Sequence, residues 1–213
     1  MHQKQVSADG VSLSGEDFRR AKVDHFLDRA AEFVSMGRLL AARRPLSSAL
    51  NLDPENQQAR DLMREVSRTL SALRDEVVAA GQPQPRRHEV VLVVDQDERL
   101  LPDMMKSLHR FGFRAVAAGG YKEASDLLAL LTPQMIISEV NFEDGPVGFD
   151  LYLMVRTNAK LEGVPFLFLA TKVDRETLIA GKRLGVSDFI TKPLDEEVVF
   201  ASIMSALSRS KRG

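Results

Sequence analysis

Four short apolar runs after residue 88 of this chain end on residues that could act together. Val90–Val94 runs into Asp95, Met135–Ser138 into Glu139, Pro165–Ala170 into Thr171, and Val186–Thr191 into Lys192. Two carboxylates and an ammonium can share an oxygen-liganded cation, neutralise an anionic group, or pair with one another. Gln96 and Asp97 follow Asp95 directly and add an amide and a third carboxylate. These groups cooperate only if the fold brings the ends of separate runs to one place.

The texture around them supplies that fold. Arg114–Ala118 is a fifth run of the same kind, and all five are short and rich in β-branched or large residues. Helical patterns separate them, near 101–111, 121–131, 149–159, 175–184 and 195–208. Strands alternating with helices in this way predict a parallel, doubly wound sheet covered on both faces. Such sheets place their sites outside the carboxyl ends of the strands. Asp95, Glu139, Ala170, Thr171 and Lys192 all fall there.

The first part of the chain is different. Phe18, Phe26, Ala30, Phe33, Val34 and Leu40 recur at helical spacing, and Gly37 marks a turn. A second helix is expected near 39–50, and Asn51-Leu52-Asp53-Pro54 stops it. A third is expected from about Pro54 to Ala79, with Ala59, Leu62, Met63, Val66, Leu70, Leu73 and Val77 on one face. Residues 1–14 read as a polar tail, 15–80 as a helical domain, 81–88 as a Pro- and Gly-containing linker, and 89–210 as the α/β domain.

Composition narrows the classes further. The 213 residues carry a formal charge of -1, with 44% hydrophobic and 28% charged residues, as in an ordinary soluble protein. No cysteine is present, which removes disulfides, thiolate nucleophiles and cysteine metal sites. The four histidines have no zinc-like spacing, and no Gly-rich phosphate loop follows a strand. The near-neutral charge gives no pull toward nucleic acid or anionic membrane, and no apolar run is long enough to span a bilayer. A cytoplasmic location is expected.

Two family resemblances follow from these residues. Phe33, Gly37, Ala42, Leu46, Ala49, Leu52 and Pro54 resemble about one tetratricopeptide repeat, in which small residues let two helices approach closely. One repeat cannot bury its apolar face alone. Val91–Asp95, Pro133–Glu139, Gly148–Leu151 and Leu184–Pro193 resemble the receiver domain of two-component response regulators. That resemblance covers nearly the whole of residues 88–208 and implies a flavodoxin-like fold. It also implies an aspartyl phosphoacceptor, a Mg2+ pocket of acidic residues, a hydroxyl residue and a lysine that neutralises the phosphoryl oxygens.

Position by position, this chain departs from the pattern. Asp95 fits the first acidic place, but Gln96 stands at the second and brings no charge. Glu139 stands where the phosphoacceptor belongs, and its extra methylene spoils in-line geometry in a site where about 1 Å can cost roughly 100-fold. Ala170 replaces the hydroxyl residue, with Thr171 one place late; Phe189 fills the aromatic switch position without a hydroxyl; Lys192 is kept. The expectation is a pseudo-receiver, not phosphorylated and without enzymatic turnover, in which Glu139 pairs permanently with Lys192. No cofactor is expected, and Mg2+ at most weakly, through Asp95, Asp97 and Glu139. The alternative is a phosphorylatable response regulator with an atypical Mg2+ pocket, rescued by Asp97. Expected partners are proteins, a histidine kinase or another signalling protein among them, with homodimerisation a further arrangement and neither nucleic acid nor membrane involved.

Overall fold

The computed structural model describes residues 15–79, 89–143 and 147–210. The expected tail (1–14) and linker (81–88) lie outside the described residues, as do residues 144–146. The chain divides into two compact units, residues 1–35 with 39–69, and residues 36–38 with 70–213.

In the first unit, α1 (Gly15–Ser35) and α2 (Leu39–Leu52) pack on each other, followed by α3 (Gln57–Ala79), whose Thr69/Leu70 bond is the boundary between the units. Ala30, Ala42, Leu46 and Ala49 are completely buried. Three of the four are alanines, so helix backbones approach with little side chain between them. Pro45 lies inside α2 and is buried there; lacking an N–H, it leaves one helical hydrogen bond unmade. Helix α3 begins at Gln57 and not near Pro54 as expected. The Asp53 carboxylate accepts the Glu55 N–H (3.2 Å), and Asn56 Oδ1 accepts the Ala59 N–H (3.0 Å). Asp53–Asn56 therefore closes a turn of its own, and Asn56 caps the helix. Ala59, Val66 and Leu73 repeat every seven residues as its most buried positions.

The second unit holds β1 (Val90–Val94), α4 (Leu100–Arg110), β2 (Arg114–Ala118), α5 (Tyr121–Leu130), β3 (Met135–Glu139), α6 (Val147–Thr157), β4 (Phe166–Ala170), α7 (Arg175–Leu184), β5 (Asp188–Thr191) and α8 (Glu196–Ser210). All strands pair in parallel in the order β2-β1-β3-β4-β5. The three inner strands are buried at every residue, which is why they read as unbroken apolar runs and do not alternate. Edge strand β5 begins two residues later than its apolar run suggests. Val186 donates its N–H to Gly181 O (3.0 Å) and so finishes α7 before the ladder starts at Asp188.

Sheet register decides where the chemistry meets. Val94 pairs with Ala118 and Ser138, Glu139 with Leu169, and Ala170 with Thr191. The strands end level, so Asp95, Glu139, Ala170 and Lys192 emerge along one rim. Beneath that rim one face is filled by Val91, Val93, Leu101, Met104, Ile137, Leu167, Ile203 and their neighbours. Tyr152, Phe166 and Phe168 pack edge-on or tilted, with Tyr152 and Phe166 5.2 Å apart.

Candidate functional site

Lys192 is the centre of the rim. Its Nζ lies 2.6 Å from Asp95 Oδ2 and 2.5 Å from Glu139 Oε2. Asp95 is fully buried and Glu139 is 5% exposed, so both ion pairs sit in a nearly dry place. The Lys192 main chain is fixed as well, since its N–H donates to Ala170 O (2.9 Å).

The remaining carboxylate oxygens are also committed. Asp95 Oδ1 accepts the N–H of Asp97 (2.9 Å). Glu139 Oε1 accepts the N–H groups of Val140 (2.8 Å) and Asn141 (3.1 Å), so the extra methylene lets the side chain curl back over the turn after its own strand. Every carboxylate oxygen of the pocket thus has at least one donor, which a buried ion-pair cluster requires. Gly148 helps to set this geometry: a Cβ there would stand 2.2 Å from Glu139 O, so only glycine lets the start of α6 approach so closely.

Electrostatics follow from burial and pairing. Burial opposes the Lys192 ammonium, but the hydrogen bonds to Asp95 and Glu139, with their charges, outweigh it and hold Lys192 above its ordinary value. For Asp95 burial dominates; despite the Lys192 hydrogen bond and charge, its carboxyl is raised above the usual range, and the charge of Glu139 adds to the rise. Lys192 is firmly a cation at neutral pH, shared between two carboxylates.

The other residues singled out from sequence lie outside this cluster. Gln96 turns its Oε1 to the N–H of Glu143 (2.9 Å). Asp97 accepts the Arg99 N–H (3.0 Å) and sits near its guanidinium, an arrangement that lowers its carboxyl. Ala170 is completely buried, and Thr171 is exposed. Phe189 is half-buried, its ring 5.4 Å from that of Phe168 and pressed against Gly181, where a Cβ would meet Cζ at 2.2 Å. The direct Asp95–Lys192 bond was not anticipated from the sequence. Its signal was there, since both residues follow strands of one parallel sheet.

A family model for the response regulator receiver domain matches residues 91–204, more than half of the 213. The chain belongs to the receiver family. The chain is similar to a transcriptional regulatory protein of Bacillus subtilis, YvcP, at 26% identity over 120 residues, covering 56% of this chain and 49% of that one. It is also similar to protein PilH of Pseudomonas aeruginosa, at 24% over 118 residues, covering 55% of this chain and 97% of that one. Among solved structures, the receiver domain of HemR from Leptospira biflexa superposes with a TM-score of 0.51 at 27% identity, covering 56% of this chain and 94% of that one. A receiver domain from a histidine kinase of Syntrophus aciditrophicus gives 0.53 at 25%, covering 59% and 94%. The chain spans about half the length of the first curated relatives that it matches.

Receivers imply Mg2+, and this receiver's donor set does not fit it. Near-octahedral coordination needs several free oxygens converging on one point. Here Lys192 already occupies the point between Asp95 and Glu139, the Gln96 amide oxygen serves a main-chain donor, and Asp97 turns to Arg99. Among the described residues no group of three metal-ligating side chains converges.

Proposed function

We propose that this receiver is a non-catalytic signalling adaptor, a pseudo-receiver that binds protein partners without being phosphorylated. The observation that carries this reading is the double engagement of Lys192 by Asp95 and Glu139 at 2.6 and 2.5 Å. A phosphoryl group would have to displace Glu139 from the lysine that is meant to neutralise it, with no hydroxyl at Ala170 to assist. The Glu139 carboxylate takes the place of that group permanently, so the pocket has one resting arrangement and no ligand to bias it.

Binding is then the remaining activity. The surface formed by α7, β5 and α8 exposes Leu178, Ile179, Leu184 and Val198, apolar side chains suited to a protein partner such as a histidine kinase or another signalling protein. Residues 15–80 serve as a tetratricopeptide-like module and residues 89–210 as the receiver domain, a reading supported for the former by the buried small residues Ala42 and Ala49. No helix among the described residues is long and apolar enough to cross a membrane.

Incubation with acetyl phosphate or beryllofluoride in Mg2+ tests the reading. The expected outcome is an unchanged intact mass and no metal-dependent shift of the Asp95, Glu139 or Lys192 resonances. A phosphoryl adduct would overturn it in favour of a working response regulator with an atypical pocket.

A further inference from the structure

Met36–Arg38, between α1 and α2, belong to the second compact unit and are built into it at several points. Met36 is 8% exposed and lies in the same apolar cluster as Val93, Leu101 and Met104. Gly37 takes a positive φ of 73°, and its carbonyl accepts the N–H of Ala117 (2.9 Å) on edge strand β2, a donor the sheet itself does not use. A Cβ on Gly37 would stand 2.7 Å from Met105 Sδ, so the turn needs glycine for space as well as for φ.

Arg38 completes the attachment. Its Nε and one terminal nitrogen lie 3.0 and 2.8 Å from Glu123 Oε2, and the other terminal nitrogen lies 2.8 Å from Glu98 Oε1. Arg38 and Glu123 side chains are only 16% and 15% exposed. The guanidinium rests over Gly119, where a Cβ would come within 2.4 Å, and the Gly119 N–H donates to the same Glu123 oxygen (2.9 Å). Glu98 belongs to the segment between β1 and α4 that also carries Asp95, Gln96 and Asp97. Arg38 therefore bridges the first turn of α5, beside the loop after β2, and the loop of the acidic pocket.

We propose that Arg38 is a positioning residue for the pocket: through Glu98 it holds the Asp95–Arg99 segment in place, so the state of residues 36–38 controls the rigidity of the site. The inference goes beyond the pseudo-receiver reading and holds whether or not Glu139 is ever modified. The pocket segment has its own hydrogen bonds to report on it, from the N–H of Asp97 to Asp95, of Arg99 to the Asp97 side chain, and of Leu100 and Leu101 to Asp97 O. Arg38 is the fixed post to which that small network is tied.

Residue-resolved amide hydrogen exchange on the full chain tests it, with Arg38→Met, Arg38→Lys and Glu98→Gln. Losing a charge-assisted, partly buried bond opens its neighbourhood by roughly tenfold or more. Arg38→Met is expected to accelerate Ala117, Gly119 and the amides of Asp97, Arg99, Leu100 and Leu101 by about that factor, with Ile190 unchanged, and Arg38→Lys restores part of the protection. Glu98→Gln is expected to accelerate the Asp97–Leu101 amides alone, leaving Ala117 protected. Because Glu98 is half-exposed, that variant folds even if Arg38→Met does not. Unchanged exchange at Asp97–Leu101 in Glu98→Gln, or uniform acceleration through the sheet in Arg38→Met, would each overturn the proposal.

Discussion

Replacing Lys192 with methionine keeps the side-chain length and removes its charge, leaving Asp95 and Glu139 buried with no cation between them. Breaking a buried pair by removing one partner costs about 3–5 kcal/mol. The two hydrogen bonds to charged groups, at about 1.5–3 kcal/mol each, give a similar figure. Lys192 is 15% exposed, so some solvent screening remains, and about 4 kcal/mol is a fair expectation at pH 7. For a unit of this size that is on the order of 15 °C in Tm. The loss has a pH signature. In the wild type, burial raises Asp95 while the Lys192 hydrogen bond and charge hold it down. In the variant burial and the Glu139 charge still raise it, and only the Asp97 N–H bond still opposes them. A carboxyl with a folded pKa above its unfolded value makes the folded state take up a proton, so stability rises as pH falls toward the unfolded value. Each pH unit over which one such proton is taken up returns about 1.4 kcal/mol, so the deficit should shrink from pH 7 to pH 5. The chain has two tyrosines and no tryptophan, and both Tyr121 and Tyr152 lie in the second unit. Tyrosine fluorescence during urea unfolding therefore follows the receiver selectively. A Lys192→Met loss below about 1 kcal/mol at pH 7, or an equal loss at pH 7 and pH 5, would refute a load on Lys192 from two buried carboxylates.

Three further outcomes follow from the same geometry. Because Lys192 is held above 10.5, its stabilisation of the wild type is complete below that value and fades as pH rises through the folded one; alkaline unfolding monitored by circular dichroism should show a stability loss that Lys192→Met lacks. Gly181→Ala puts a methyl group into the Phe189 ring and should cost about 1–3 kcal/mol while moving the aromatic resonances of Phe168 and Phe189; unchanged resonances would count against the packed arrangement. Glu139→Asp alone should take up no phosphoryl group from acetyl phosphate, whereas Gln96→Asp/Glu139→Asp/Ala170→Thr should do so in Mg2+, as read by intact mass. An adduct on the single variant would mean that Gln96 and Ala170 are not the obstacles described.

Much of this molecule was legible in the chain because parallel sheets write themselves plainly. The inner strands are buried on both faces, so Val90–Val94 and Phe166–Ala170 show as unbroken apolar runs, and chemistry must collect where such runs end. Element ends were less legible where a local hydrogen bond intervened, as Asn56 does before α3 and Val186 does before β5. The Glu139–Lys192 pair could be anticipated, since a longer carboxylate at a strand end faces a lysine from the same sheet. The destinations of Gln96 and Asp97 could not, because a loop side chain chooses among nearby main-chain donors that exist only once the turn is folded.

The amino-acid sequence by itself determined the α/β architecture of residues 89–210, the rim on which the pocket forms, and the residue types, Ala170 and Glu139, that stand at its strand ends. These depend on residue type and local periodicity. The tertiary structure alone decided that Lys192 is divided between two carboxylates, that Phe189 lies against Gly181, and that Arg38 spans Glu98 and Glu123. The first and third are contacts between residues far apart in the chain, the second joins a helix to the strand that follows it, and level strand ends or a glycine make each one possible. Such contacts leave no periodic trace in sequence, because their partners are set by the register of the sheet and not by the spacing of residues.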